Sequence, residues 1–114
     1  MVSKHLSDAG YEIIRSFDEF KDLLQDSNLT FCHFAAPSCK QSARIVDHLA
    51  KLAEDFDHRI RFVFINTQRL TEIAEYCEVS GSPFFQLYCG SQLLDETDEY
   101  EDEEVRRVML KHTL

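Results

Sequence analysis

Residues 33–42 read HFAAPSCKQS, and this stretch joins an apolar run to an amphipathic one. Residues 29–34, at its start, are nearly all apolar or aromatic, which is typical of a central β-strand covered on both faces. Downstream, Ile45, Leu49, Leu52 and Phe56 recur at the spacing of one helix face. The stretch therefore predicts a junction from strand to helix with Cys39 at the turn.

The same two periodicities continue on both sides of this junction. Further strands are predicted over residues 11–15, 60–65, 84–89 and 92–95, the last two joined by a turn at Gly90 and Ser91. Further helices are predicted after a capping box formed by Ser16 and Glu19, over residues 71–77 and over residues 103–112. The order β-α-β-α-β-α-β-β-α predicts a single α/β domain over residues 1–114, with a central mixed sheet flanked by helices on both faces.

Composition limits the classes of function. A formal charge of −9 disfavours binding to nucleic acid or to an anionic membrane, because both require a basic surface. Residues 1–8 contain no apolar run able to act as a signal peptide, and no window has the length of a membrane span. The four cysteines show no regular disulfide spacing and no zinc-site spacing with the histidines. We therefore expect a cytoplasmic protein with free thiols and with no bound metal or cofactor.

Cys39 is the candidate nucleophile. Pro37 favours extended backbone before it, and Ser38 with Gln41 has the pattern of a capping box that places Cys39 in the first helical turn. The free amides and positive end of a helix, together with the neighbouring Lys40, favour the reactive thiolate form. The alternative is a buried structural cysteine that begins a helix.

With Pro83 downstream, this motif resembles the active site of the thioredoxin superfamily. The family pattern Phe-x-Ala-x-x-Cys-x-x-Cys begins at Phe34, and residues 33–94 align with it without a gap. Because Ser42 stands at the second cysteine position, the chain is similar to monothiol thioredoxin-like proteins of the Cys-x-x-Ser type. It is similar also to the thioredoxin-like domain of multidomain monothiol glutaredoxins. A different alignment, with a three-residue deletion, would place Cys39 at the second cysteine position and Ser42 beyond the motif.

The resemblance implies a thioredoxin fold and thiol–disulfide exchange with protein thiols or disulfides through Cys39. Ser42 cannot form a disulfide, so glutathione, a protein thiol or a thioredoxin reductase would have to resolve the mixed disulfide, and dithiol reductase activity would be weak or absent. The resemblance makes Pro83 a cis-proline that faces Cys39, and it makes the Ser82 backbone a partner for a substrate strand. His33 stands where many dithiol relatives carry a buried acid, and it is either a proton relay that titrates near neutrality or an ordinary core residue.

A second interpretation is a thioredoxin-like protein-interaction module without catalysis, as in multidomain glutaredoxins or phosducin-like co-chaperones. Ser38, in place of an aromatic residue, and the absence of Gly-Pro from the motif favour it. Residues 95–104 carry eight carboxylates, which predicts a solvated loop or a surface that attracts a basic partner. Cys32 is predicted to be buried and inert, whereas Cys77 and Cys89 are predicted to be exposed enough to oxidise.

Overall fold

Helices and strands alternate around one sheet in the computed structural model, which describes residues 2–56 and 59–113, with the backbone alone of residues 2 and 3. His58 is one of the histidines whose spacing from the cysteines was compared with that of zinc sites, and it lies outside these ranges. The helices are α1 (Val2–Asp8), α2 (Phe17–Leu23), α3 (Lys40–Phe56), α4 (Thr71–Tyr76) and α5 (Asp102–Thr113). The strands are β1 (Glu12–Ile13), β2 (Leu29–Ala35), β3 (Ile60–Asn66), β4 (Phe84–Cys89) and β5 (Gln92–Thr97).

The strands form one mixed sheet in the order β1-β3-β2-β4-β5. Strand β3 pairs in parallel with β1 and β2, which suits strands that are connected through helices. Strand β4 is antiparallel to both β2 and β5, and the turn at Gly90 joins β4 to β5. The predicted mixed sheet is therefore confirmed, with β2 at its centre. None of the described helices combines the length and the apolar character that a bilayer crossing requires.

Helices cover both faces of the sheet, as predicted. Helices α1, α3 and α5 pack on one face in a cluster that includes Leu6, Leu49 and Val108. Helices α2 and α4 pack on the other face in a cluster that includes Phe20 and Ile73. Side chains alternate across a strand, so the odd-numbered residues of β2 face α3 and the even-numbered ones face α2 and α4. This alternation brings position 33 to the side of the sheet that carries α3.

Helix α1 was not predicted from the sequence, so the observed order begins with a helix. Its sequence, VSKHLSD, has too few apolar residues for a visible helical period. The helix is held instead by tertiary contacts, since Leu6 is fully buried. The adjoining Tyr11 donates a hydrogen bond from its hydroxyl to the Leu49 carbonyl of α3 at 3.1 Å. This contact places α1 beside α3.

Other boundaries differ less. Strand β1 has two residues rather than the predicted five. Ser16 begins the next helix as its N-cap and accepts a hydrogen bond from the Glu19 amide at 3.1 Å. That part of the predicted capping box is confirmed. The predicted ends of β2, β3, β4, α4 and α5 agree with the structure to within one residue.

The acidic stretch is only partly a loop, because β5 extends through Thr97 instead of ending at 95. Asp95 is 17% exposed, and its Oδ2 lies 3.2 Å from Nε2 of His112 in α5. The prediction of a solvated loop is therefore wrong for residues 95–97. Three further carboxylates lie in the first turn of α5, where the positive end of the helix favours negative charge.

Candidate active site at Cys39

Cys39 lies immediately before α3 and caps it. Its carbonyl accepts a hydrogen bond from the Ala43 amide at 3.2 Å, and its sulfur accepts one from the Ser42 amide at 3.5 Å. The sulfur thus takes the place that a serine oxygen has at an N-cap. The predicted capping box at Ser38 is wrong, since no hydrogen bond among the described residues involves the Ser38 hydroxyl. The Cys39 amide bonds to the Ala36 carbonyl at 3.1 Å, which closes a turn and moves the helix start beyond Cys39.

Hydrogen bonds favour the thiolate of Cys39. Burial of this sulfur raises its pKa, since the residue is only 9% exposed. The hydroxyls of Ser42 and Ser82 and the backbone amides of Ser42 and Gln41 outweigh burial, and the pKa lies below its ordinary value. Lys40 is exposed at the first residue of α3, and its predicted effect on the thiolate stays a prediction. The groups that lower the pKa of Cys39 in the structure are amides and hydroxyls.

Ser42 lies inside the site and not on the helix surface. It is fully buried in the first turn of α3, and its Oγ is 3.0 Å from Nε2 of His33. Its amide donates a hydrogen bond to the sulfur of Cys39, and its hydroxyl contributes to the lowered pKa of that thiol. An arrangement with Ser42 between His33 and Cys39 supports the ungapped alignment, in which Cys39 holds the first position of the motif.

His33 is a neutral histidine in the centre of the sheet. Its ring is stacked on Phe85 of β4 at a centroid distance of 5.0 Å and meets the edge of Phe64 of β3 at 5.2 Å. Burial lowers its pKa to about 3, because the charged imidazolium would lose its hydration there. Of the two interpretations of His33 given above, its burial favours the ordinary core residue over a proton relay that titrates near neutrality. Its Nδ1 has no hydrogen-bond partner among the described residues.

The loop before β4 reaches the site from the other side. The peptide bond between Ser82 and Pro83 is cis, and Pro83 is buried while Ser82 is exposed. The Ser82 hydroxyl accepts a hydrogen bond from the Ala36 amide at 3.0 Å, which ties this loop to the one that precedes Cys39. Gly81 has a φ of 121°, a conformation that side chains rarely adopt. The structure thus links Ser82 to the segment that precedes Cys39, and this hydroxyl contact is one that the sequence pattern had not revealed.

A groove of about 380 Å³ opens beside Cys39, between α1 and the start of α3. Pro37, Lys40 and Val46 line it, together with His5 of α1. The His5 ring nitrogen Nε2 lies 3.4 Å from an Asp47 carboxylate oxygen. Sequence reasoning missed His5, because it missed the helix that carries it. No group of three or more His, Cys, Asp or Glu side chains within residues 4–56 and 59–113 is arranged to hold a metal ion.

The other three cysteines are free thiols in different environments. Cys32 is fully buried on the far face of the sheet, as predicted, and burial followed by the nearby Cys77 raises its pKa well above the ordinary value. Cys77 is also buried, and burial raises its pKa, so the prediction that it is exposed enough to oxidise is wrong. Cys89 is partly exposed, and its sulfur lies 3.5 Å from the Ser27 carbonyl oxygen.

Solved structures share this fold. The mitochondrial thioredoxin 3 of Saccharomyces cerevisiae superposes with a TM-score of 0.84 at 22% identity, covering 94% of this chain and 97% of that one. A thioredoxin of Malassezia sympodialis gives a TM-score of 0.86 at 17% identity, with 91% of each chain covered. These likenesses confirm the predicted thioredoxin fold.

Sequence comparison identifies the family. Similar relatives are glutaredoxin 3 of Danio rerio, 29% identical over 92 residues, and glutaredoxin-3 of Mus musculus, 29% identical over 101 residues. The alignments cover 79% and 87% of this chain but 28% and 30% of the relatives, so the chain spans less than a third of their length. The family model described as thioredoxin matches residues 13–111. Most of the sequence thus carries the family signature, and the chain belongs to the thioredoxin family.

Proposed function

We propose that this chain performs monothiol thiol–disulfide exchange through Cys39, acting on protein disulfides or on mixed disulfides with glutathione. The observation that carries the proposal is the capping sulfur of Cys39, whose pKa is lowered by hydrogen bonds while a serine occupies the position of a second thiol. A thiolate is the nucleophile in disulfide exchange, so a lowered pKa increases the reactive fraction at neutral pH.

The reaction has two steps. The Cys39 thiolate attacks one sulfur of a disulfide R–S–S–R′, forming Cys39–S–S–R and releasing R′–S⁻. A second thiolate, R″–S⁻, then attacks the sulfur of R, which forms R–S–S–R″ and releases Cys39 as its thiolate. The hydroxyl of Ser42 cannot carry out this second attack, because it is not ionised at neutral pH and forms no disulfide. Reduced glutathione, another protein thiol or a thioredoxin reductase would supply the second thiolate, with no bound cofactor. The location that we propose for this activity is the cytoplasm, where thiols are kept reduced.

The surroundings of Cys39 suit an extended peptide substrate. The exposed Ser82 is tied to the segment before Cys39, because its hydroxyl accepts a hydrogen bond from the Ala36 amide. Its backbone would pair with a substrate strand, as in β-augmentation. The groove that begins at Lys40 would hold the residues that flank the substrate cysteine.

Two measurements on one set of variants test this function. The rate of iodoacetamide labelling is followed for each cysteine by peptide mass spectrometry at pH 7, and Cys39 should be labelled first. Removal of glutathione from a glutathionylated model protein is then compared between wild type, Cys39→Ser and the matched control Cys89→Ser. Loss of activity in Cys39→Ser with retention in Cys89→Ser supports the proposal. Equal activity in the two variants, or earlier labelling of another cysteine, would falsify it.

The interaction module remains a second candidate, because Cys39 is only 9% exposed and a disulfide substrate must reach its sulfur. The same assay separates the two functions. If the folded protein neither forms a mixed disulfide with glutathione disulfide at Cys39 nor removes glutathione from the model protein, the non-catalytic module is the correct function.

A further inference from the structure

The hydrogen bond between the buried His33 and Ser42 can be formed with either residue as the donor, and the direction affects Cys39. Nε2 of His33 lies 3.0 Å from Oγ of Ser42, and both residues are fully buried. A serine hydroxyl has one proton to donate and two lone pairs to accept with. This single proton can go to the imidazole nitrogen or to the neighbouring sulfur, but not to both.

The tautomer of His33 decides between these arrangements. The ring is neutral, so one nitrogen carries a hydrogen and the other accepts. If Nδ1 carried the hydrogen, a buried N–H donor would have no partner, and Nε2 would take the Ser42 proton. If Nε2 carries it, only a lone pair on Nδ1 is left without a partner. Buried donors without partners are rarer in proteins than buried acceptors without partners, which favours hydrogen on Nε2.

We propose that His33 is a positioning residue, whose Nε2–H donates to the Ser42 oxygen and thereby directs the only hydroxyl proton of Ser42 toward the sulfur of Cys39. The proposal deepens the exchange function proposed above and rests on it. Hydrogen-bond donors then lead from His33, in the centre of the sheet, through Ser42 to the sulfur of Cys39. His33 itself touches neither the thiol nor a substrate.

The packing of the ring keeps this geometry in place. Phe85 stacks on one face of the His33 ring and Phe64 meets it edge-on, so the ring has little room to flip. Neither of these neighbours titrates. The ionisable side chains that line the groove beside Cys39 are His5 of α1 and Lys40 of α3, and the Asp47 carboxylate contacts the His5 ring. Residues 81–83 have no ionisable side chain. Any pH profile of the thiol must therefore be compared with one measured in a His5→Gln background.

Nuclear magnetic resonance of the wild-type protein tests the tautomer directly. Two-bond and three-bond couplings between ring ¹⁵N and ¹H distinguish hydrogen on Nε2 from hydrogen on Nδ1 at pH 7. We expect the Nε2–H form for His33. The Nδ1–H form would overturn the proposal, even if Cys39 remained the fastest-labelled cysteine, so failure here is distinguishable from failure of the exchange function.

A double-mutant comparison tests the consequence for the thiol. The pH dependence of Cys39 alkylation is measured for wild type, Ser42→Ala, His33→Leu and the double variant, with His33→Gln as the conservative replacement that keeps an N–H donor. Ser42→Ala should raise the thiol pKa by about one unit, a tenfold change in thiolate fraction below the pKa. His33→Leu should raise it by less, because the Ser42 hydroxyl is kept but is no longer held toward the sulfur. The double variant should match Ser42→Ala, because His33 reaches the thiol only through the Ser42 hydroxyl, and His33→Gln should stay near wild type.

Two outcomes contradict the proposal. One is an unchanged thiol pKa in folded His33→Leu, which would leave His33 with a packing role alone. The other is additivity of the two single changes, which would show that His33 and Ser42 act on Cys39 independently. If His33→Leu does not fold by circular dichroism, the tautomer measurement decides.

Discussion

Replacement of the buried His33 should change how the stability of this protein depends on pH. The pKa of a histidine is about 6.5 in an unfolded chain, and burial lowers that of His33 to about 3 in the folded protein. Between these two values the unfolded state binds a proton that the folded state does not. The contribution of His33 to the free energy of unfolding is therefore fully present above pH 6.5, and it is lost progressively as the pH falls toward 3.

The magnitude follows from this pKa difference. Each pH unit within the window changes the free energy of unfolding by up to about 1.4 kcal/mol for a single group. Between pH 6.5 and 4.5 the contribution of His33 therefore falls by roughly 2 to 3 kcal/mol. In urea, where the free energy of a small domain changes by about 1 to 3 kcal/mol per molar denaturant, this is a midpoint shift of about 0.7 to 3 M.

The assay is urea unfolding followed by circular dichroism at half-unit steps from pH 7 to 4.5. Wild type is compared with His33→Gln and with His48→Gln, which replaces an exposed histidine of α3. Subtraction of the curves removes the contribution of the carboxylates that the variants share. Between pH 6.5 and 4.5 we expect the free energy of unfolding to fall by roughly 2 to 3 kcal/mol less in His33→Gln than in wild type. We expect His48→Gln to follow wild type. Parallel curves for wild type and His33→Gln would refute the argument, because His33 would then titrate alike in both states.

Three further substitutions test single contacts. Ser42→Cys should form a disulfide with Cys39 on mild oxidation and gain insulin reduction with a thioredoxin reductase; peptide mapping that finds no such bond would contradict the placement of the two residues. Ser82→Ala should raise the alkylation pKa of Cys39 by about half a unit to one unit, since a hydroxyl acting on the sulfur is lost; an unchanged pH profile would exclude that role. Tyr11→Phe should lower the free energy of unfolding by about 1 to 2 kcal/mol, with the exposed Tyr76→Phe as control, because a buried carbonyl of α3 loses its donor; equal urea midpoints would contradict this.

The local sequence was sufficient for most of the fold. Continuous apolar runs predicted the central strands, and the spacing of Ile45 and Leu49 predicted α3, because each pattern depends on residues within a few positions of one another. The motif from Cys39 to Ser42 and the proline at 83 were visible for the same reason. The start of α3 was placed one residue early, since the turn closed by the Cys39 amide competes with the predicted cap.

Only the tertiary structure decided how the site is arranged. The hydroxyl of Ser82 bonds the Ala36 amide across 46 residues of sequence, and that of Ser42 meets His33 across nine, so no local pattern records either contact. The charge state of His33 depends on desolvation between β3 and β4, which no residue type specifies by itself. Helix α1 likewise forms because Leu6 is buried against the rest of the core rather than because its own sequence favours a helix. The sequence by itself determined which chemical groups this protein has and the order of its strands and helices after α1. Packing decided which of those groups meet and in which protonation state, because burial acts between parts of the chain that are remote in sequence.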